Sequence, residues 1–193
     1  IPMVIARTGW SGELSYELYL QDRKKGDELF EIVHEAAKEF NGAVIAPNTI
    51  RTIEGGLLSY QSDFGREHNP FTIGLDRLVD LDQDIDFIGK EALKKIKSEG
   101  ISEKLVGVEI DGDPIQKVPE NFWPVFDENH KKIGRLSRCF FSPRLKKNIG
   151  LAIIDINFVE PGTPLVIESP KAHLNAQVHE LPWFPAEKST NLD

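Results

Sequence analysis

The most restrictive feature of the chain lies in its second half. Six short runs with strand character, at 104–110, 122–127, 132–139, 149–155, 164–169 and 173–180, follow one another with no amphipathic helix between them. Turn-forming residues separate them, as in Asp127-Glu128-Asn129 and Glu160-Pro161-Gly162. Strands this short bury little alone, and an open sheet leaves unpaired edges. A small antiparallel barrel or sandwich resolves both problems. Residues 101–185 are therefore expected to form a small antiparallel β domain, a barrel or a sandwich, with 186–193 as a flexible tail.

Residues 1–100 follow a different pattern. Runs at 2–9 and 14–20 read as strands around Gly9-Trp10-Ser11-Gly12. The second run alternates, with Leu14, Tyr16, Leu18 and Leu20 on one side and Ser15, Glu17 and Tyr19 on the other. Residues 24–40 read as an amphipathic helix striped by Leu29, Phe30, Ile32, Val33, Ala36, Ala37 and Phe40, with Gly42 closing it. A second helix is expected from Pro47 to about Leu58, where Gly55-Gly56 permits close approach by another element. Residues 59–76 read as a polar connection, 78–81 as a strand, and 89–98 as a third helix stopped by Gly100. The fold class is thus α+β followed by β. The chain starts on Ile1 inside a strand-like run, which fits trimming or a piece of a longer polypeptide.

Charge and composition exclude several function classes. With 31 acidic against 23 basic residues the net charge is −8, unsuited to a nucleic-acid backbone. A single cysteine, Cys139, rules out an internal disulfide framework. No apolar run is long enough to span a membrane and no signal peptide is visible, so a soluble cytoplasmic protein is expected.

Isolated motifs stay ambiguous. Trp10, between two glycines, could cover a flat ligand ring or simply pack on a hairpin. Glu17 could accept bonds from a ring amide or face solvent. Asp63, Arg66, Glu67 and His68 crowd one loop, yet one histidine with acids is a weak ligand set, and no metal is expected. Cys139 reads as core and Arg144 as a turn residue within reach of a carboxylate. Composition and spacing alone do not establish an enzyme.

Longer segments change this. Arg7-Thr-Gly-Trp-Ser-Gly-Glu-Leu-Ser-Tyr-Glu17, Arg51-Thr-Ile-Glu-Gly-Gly-Leu-Leu-Ser-Tyr-Gln-Ser-Asp63, Asn69-Pro-Phe-Thr-Ile-Gly-Leu75 and Asp86-Phe-Ile-Gly-Lys-Glu-Ala-Leu93 occur in order. Phe141-Ser-Pro-Arg-Leu-Lys-Lys-Asn-Ile-Gly-Leu-Ala152 and Leu181-Pro182-Trp183-Phe184 follow. This succession resembles the tetrahydrofolate-dependent aminomethyltransferase superfamily, which includes the glycine cleavage T-protein and dimethylsulfoniopropionate demethylase. The resemblance covers only that family's later half. It implies part of a ferredoxin-like middle domain over 1–100, then the C-terminal antiparallel barrel. The family's first domain carries an aspartate near the one-carbon unit, so no catalytic residue is named in this chain. An N-terminal fragment of the same protein is an implied partner.

Tetrahydrofolate is the implied cofactor. Glu17 matches the glutamate that holds the pterin, Trp10 an aromatic lining its pocket, and Tyr60 and Asp63 a helix-end motif. Glu54 matches a structural acid beside the channel, and Arg144 lies in a loop that packs the barrel against the rest. Where glycine cleavage T-proteins have Ala-Arg-Asp, this chain has Pro47-Asn48-Thr49. Asn48 lacks the charge and donor fork of that arginine. With Trp10, this favours the demethylase branch, moving a methyl from a small sulfonium donor such as dimethylsulfoniopropionate to tetrahydrofolate. The alternatives are the aminomethyltransferase of glycine cleavage, with a lipoyl carrier protein as partner, and a non-catalytic folate-binding relative.

Overall fold

In the computed structural model, residues 1–46 and 48–184 are described. Pro47 and the expected tail at 186–193 lie outside the described residues. Strands β1 (Met3–Ala6) and β2 (Glu17–Leu20) form an antiparallel pair, followed by helices α1 (Gly26–Lys38), α2 (Thr49–Glu54) and α3 (Lys90–Glu99). The remaining strands are β3 (Glu103–Ile110), β4 (Trp123–Phe126), β5 (Lys132–Ser142), β6 (Lys147–Asp155), β7 (Pro164–Glu168) and β8 (His173–His179). They close into an antiparallel barrel of order β3-β6-β5-β4-β7-β8.

Two-residue periodicity builds the barrel. Val106, Val108 and Ile110 of β3 point inward, where they meet Ala152 and Ile154 of β6, Leu136 and Cys139 of β5, and Ile167 of β7. The opposite face of β3 and β6 is also covered. Leu105, Ile149, Leu151 and Ile153 pack outward against Ile53 of α2 and against Trp183. Because both faces of β6 are buried, it reads as an unbroken apolar run from Ile149 to Ile154. Gly107 on β3 makes room for Trp183, since a side chain there would meet the indole at 2.9 Å.

A bulge in β5 joins the barrel to the helical half. Register slips between Leu136 and Arg138, so that consecutive Ser137 and Arg138 both reach Asp63. Arg138 also donates to Thr52 Oγ1 on α2 and to the Leu57 carbonyl.

The helical half departs from expectation in three places. No strand forms at 78–81: a 3-10 turn covers Asp76–Leu78, and Asp80 Oδ1 accepts from the Asp82 and Gln83 amides. Such local side-chain bonds compete with pairing. The second helix is shorter than expected, starting at Thr49 where Asn48 Oδ1 caps the Ile50 amide at 2.9 Å. The stripe of α1 is also not packed away: Phe30 is 49% exposed, Ile32 54% and Val33 45%.

Candidate functional site

A cleft of about 900 Å³ separates the barrel from the N-terminal segment. Its walls are residues 7–9 and 12–15, the segment 55–58 that follows α2, the turn at 73–77, residues 104–106 of β3, the loop 159–161, and 179–182 at and beyond the end of β8. Arg7, Arg77 and Lys104 share this lining with Glu13, Asp76, Glu160 and Glu180. A lining that mixes both signs of charge with Leu14, Leu57, Leu58 and Ile73 suits a ligand that carries both polar and apolar groups.

The loop from Arg7 to Leu14 wraps the rim. Gly12 has φ +76° and lies 3.6 Å from where a side chain on Gly55 would project. The left-handed backbone at Gly12 is what favours glycine there, and it lets the loop turn as it crosses the segment after α2. Thr8 lines the cleft and donates its hydroxyl to Glu17. Tyr19 donates to the same oxygen, Glu17 Oε2, at 3.0 Å. Accepting this bond, and repelling a phenolate, Glu17 holds the Tyr19 hydroxyl above its ordinary pKa.

The residues singled out from sequence are not gathered in one pocket. Glu17 is exposed at the start of β2, tied to the cleft through Thr8. Trp10 is 61% exposed on the loop that carries Thr8. Tyr60 is half exposed, edge-on to Phe64 at 5.7 Å. Asp63 has no face open to a ligand in this chain: it is fully buried and accepts from the Ser59 amide at 2.7 Å, Ser137 Oγ at 2.8 Å and Arg138 Nε at 2.8 Å.

A second, smaller cavity of about 130 Å³ lies behind the rim loop, between Gly12, Glu13, Glu54, Arg144 and Phe184. Glu54, 2% exposed, accepts from Ser142 Oγ at 2.6 Å through Oε1. Its Oε2 has no hydrogen-bond partner, though Arg51 and Arg144 lie 3.7 and 3.6 Å away. The same two guanidinium nitrogens donate to Glu13 Oε1 at 3.1 Å each. Arg144 also stacks 4.0 Å above Phe184.

Sequence reasoning missed Arg138 and Glu13. Arg138 had only a weak signal, a charge next to the apolar run Cys139-Phe140-Phe141 in a strand that also carries Lys132 and Arg135. Glu13 had none, because its partners lie 38 and 131 residues away. Among the described residues no group of His, Cys, Asp and Glu is arranged to hold a metal, and no helix is long and apolar enough to cross a membrane.

Comparison with known proteins follows this geometry. The GCVT N-terminal domain matches residues 1–83, and the glycine cleavage T-protein C-terminal barrel domain matches 103–185. An aminomethyltransferase of Geobacillus sp. (strain WCH70) is 36% identical over 192 residues, 97% of this chain and 51% of that protein. The dimethylsulfoniopropionate demethylase DmdA of Ruegeria pomeroyi is 28% identical over 185 residues, 95% of this chain and 49% of that protein. The crystal structure of glycine cleavage system aminomethyltransferase T from Bartonella henselae superposes with a TM-score of 0.82 at 20% identity, covering 94% of this chain and 50% of that one. The chain spans about half the length of the curated relatives it matches.

Proposed function

The chain belongs to the aminomethyltransferase superfamily of the glycine cleavage T-protein, and from that premise we propose that it is part of an aminomethyltransferase acting with tetrahydrofolate. The observation that carries this reading is identity of 36% to an aminomethyltransferase along 97% of the chain. A methyltransferase using a sulfonium donor, favoured by sequence motifs alone, becomes the second reading. Its relative is less similar, at 28%. One of its two motif arguments also has a local explanation, because the Asn48 side chain is engaged in capping α2.

In this reading the flat ring system lies along Glu17, Trp10 and the Thr8 rim, and the rest of the molecule follows the rim into the cleft. Glu17 is oriented for the task by two hydroxyl donors, Thr8 and Tyr19, which hold its carboxylate in one rotamer. A carboxylate can accept paired bonds from ring amide and amine donors. Trp10 supplies a free aromatic face. Asp63 braces the Ser59–Tyr60 turn, leaving Tyr60 on the surface to meet the ligand. Alignment of donor and acceptor is then the protein's main contribution to rate. Residues 1–100 and 101–185 act as two domains of a longer cytoplasmic polypeptide. An N-terminal portion covers the apolar face of α1 and supplies the catalytic acid, and a lipoyl carrier protein brings the aminomethyl group.

Wild-type protein and its Glu17→Ala variant, each in the complete polypeptide, are offered tetrahydrofolate with either an aminomethyl-loaded carrier or a sulfonium donor. A product at the methylene level from the carrier supports aminomethyl transfer. A 5-methyl product from the sulfonium donor alone selects the second reading. Tetrahydrofolate binding untouched by Glu17→Ala would remove Glu17 from the site.

A further inference from the structure

We propose that Arg144, on the β5–β6 turn of the barrel, is a positioning residue that sets the wall of the cleft through Glu13. The proposal rests on the reading of the cleft as a tetrahydrofolate site. Glu13 belongs to the segment that lines the cleft at 12–15, and it also faces the small cavity behind that segment. Two guanidinium groups from different elements, Arg51 on α2 and Arg144 on the barrel, donate to the same oxygen of Glu13 at 3.1 Å. Behind them sits the buried Glu54 carboxylate, with one oxygen fixed by Ser142 and the other unbonded toward the two arginines.

The charges balance only as a set of four. Glu54 is buried and needs a counter-charge nearby. The two guanidinium groups supply it, and the same Nη1 nitrogens that lie 3.6–3.7 Å from Glu54 donate to Glu13. Arg144 is also steadied by Phe184, whose ring centroid lies 4.0 Å from its Cζ. The rim loop turns at Gly12, with φ +76°, where it passes Gly55, and beside that contact the two arginines hold Glu13. Thr8, at the other end of the same loop, donates to Glu17. A change at Arg144 therefore reaches the proposed pterin carboxylate through one short loop, without Arg144 touching the ligand.

The test is a double-mutant cycle between Glu13→Gln and Arg144→Gln, read in the complete protein by amide hydrogen exchange and by tetrahydrofolate titration. Each single variant should raise exchange across residues 7–15 and weaken tetrahydrofolate binding by about tenfold, the scale of one lost hydrogen bond between charged groups. Exchange in the barrel strands should stay unchanged. The double variant should be no worse than Glu13→Gln alone, because Arg144 reaches the loop only through Glu13, while Arg144→Gln alone leaves the Arg51 bond in place. Arg144 acting only by packing on Phe184 would instead give additive effects, and that result overturns the proposal. Unaltered exchange at 7–15 in Arg144→Gln overturns it as well. Should Arg144→Gln fail to fold, Glu13→Gln carries the test, since it leaves the arginines and Glu54 paired. A wild-type protein that shows no tetrahydrofolate binding refutes the functional reading alone, and the exchange cycle still decides the fate of the grip.

Discussion

Arg138 and Asp63 form a buried contact that ties the two halves of the chain together, beside the packing of Ile53 on the barrel. Both are buried and bonded to each other and to α2. Removing one member of such a pair leaves a bare charge and costs about 3–5 kcal/mol. Arg138→Ala should therefore lower unfolding free energy by that amount in urea titrations. Cys139 makes a second residue-scale prediction. Burial raises its thiol from 9.0 to about 12. The folded state then holds a proton that the unfolded state releases, so the contribution is intact below pH 9 and is lost as pH climbs toward 12. At pH 8 a thiol reagent should label Cys139 only after denaturant unfolds the barrel. Tyr19 reports on Glu17 in the same way. Replacing Glu17 with Gln should bring the phenol back down toward its ordinary value, visible in an ultraviolet titration of the tyrosines.

At the scale of elements, α2 illustrates how a boundary is set. Its apolar pattern extends past Glu54, yet the helix is confined between the Asn48 cap and the turn at Gly55-Gly56. Asn48→Ala should cost about 0.5–2 kcal/mol and Asn48→Asp much less, by thermal or urea unfolding. Both should leave the choice of one-carbon donor unaltered, since that side chain serves its own helix. The barrel strands were legible within a few residues because alternation and turn chemistry are local. The run at 78–81 misled for a local reason too: Asp80 folds back on the backbone of Asp82 and Gln83.

For the molecule as a whole, stability is uneven. The barrel is closed and filled, whereas β1 and β2 form an isolated two-stranded sheet and α1 keeps its apolar stripe half exposed. Two strands alone are marginal in water. Hydrogen exchange of this chain should therefore be fast over 3–38 and slow in β3, β5 and β6. Local pattern determined the barrel's six strands, the helical first half and the burial of Cys139, because each depends on neighbours within a turn or a strand. Which charges meet was settled only by tertiary structure. Asp63 finds Arg138 across 75 residues, and Glu13 finds Arg144 across 131. Pairing of that kind depends on how a bulge and a rim loop bring distant chain segments together, and no spacing rule along the sequence encodes it.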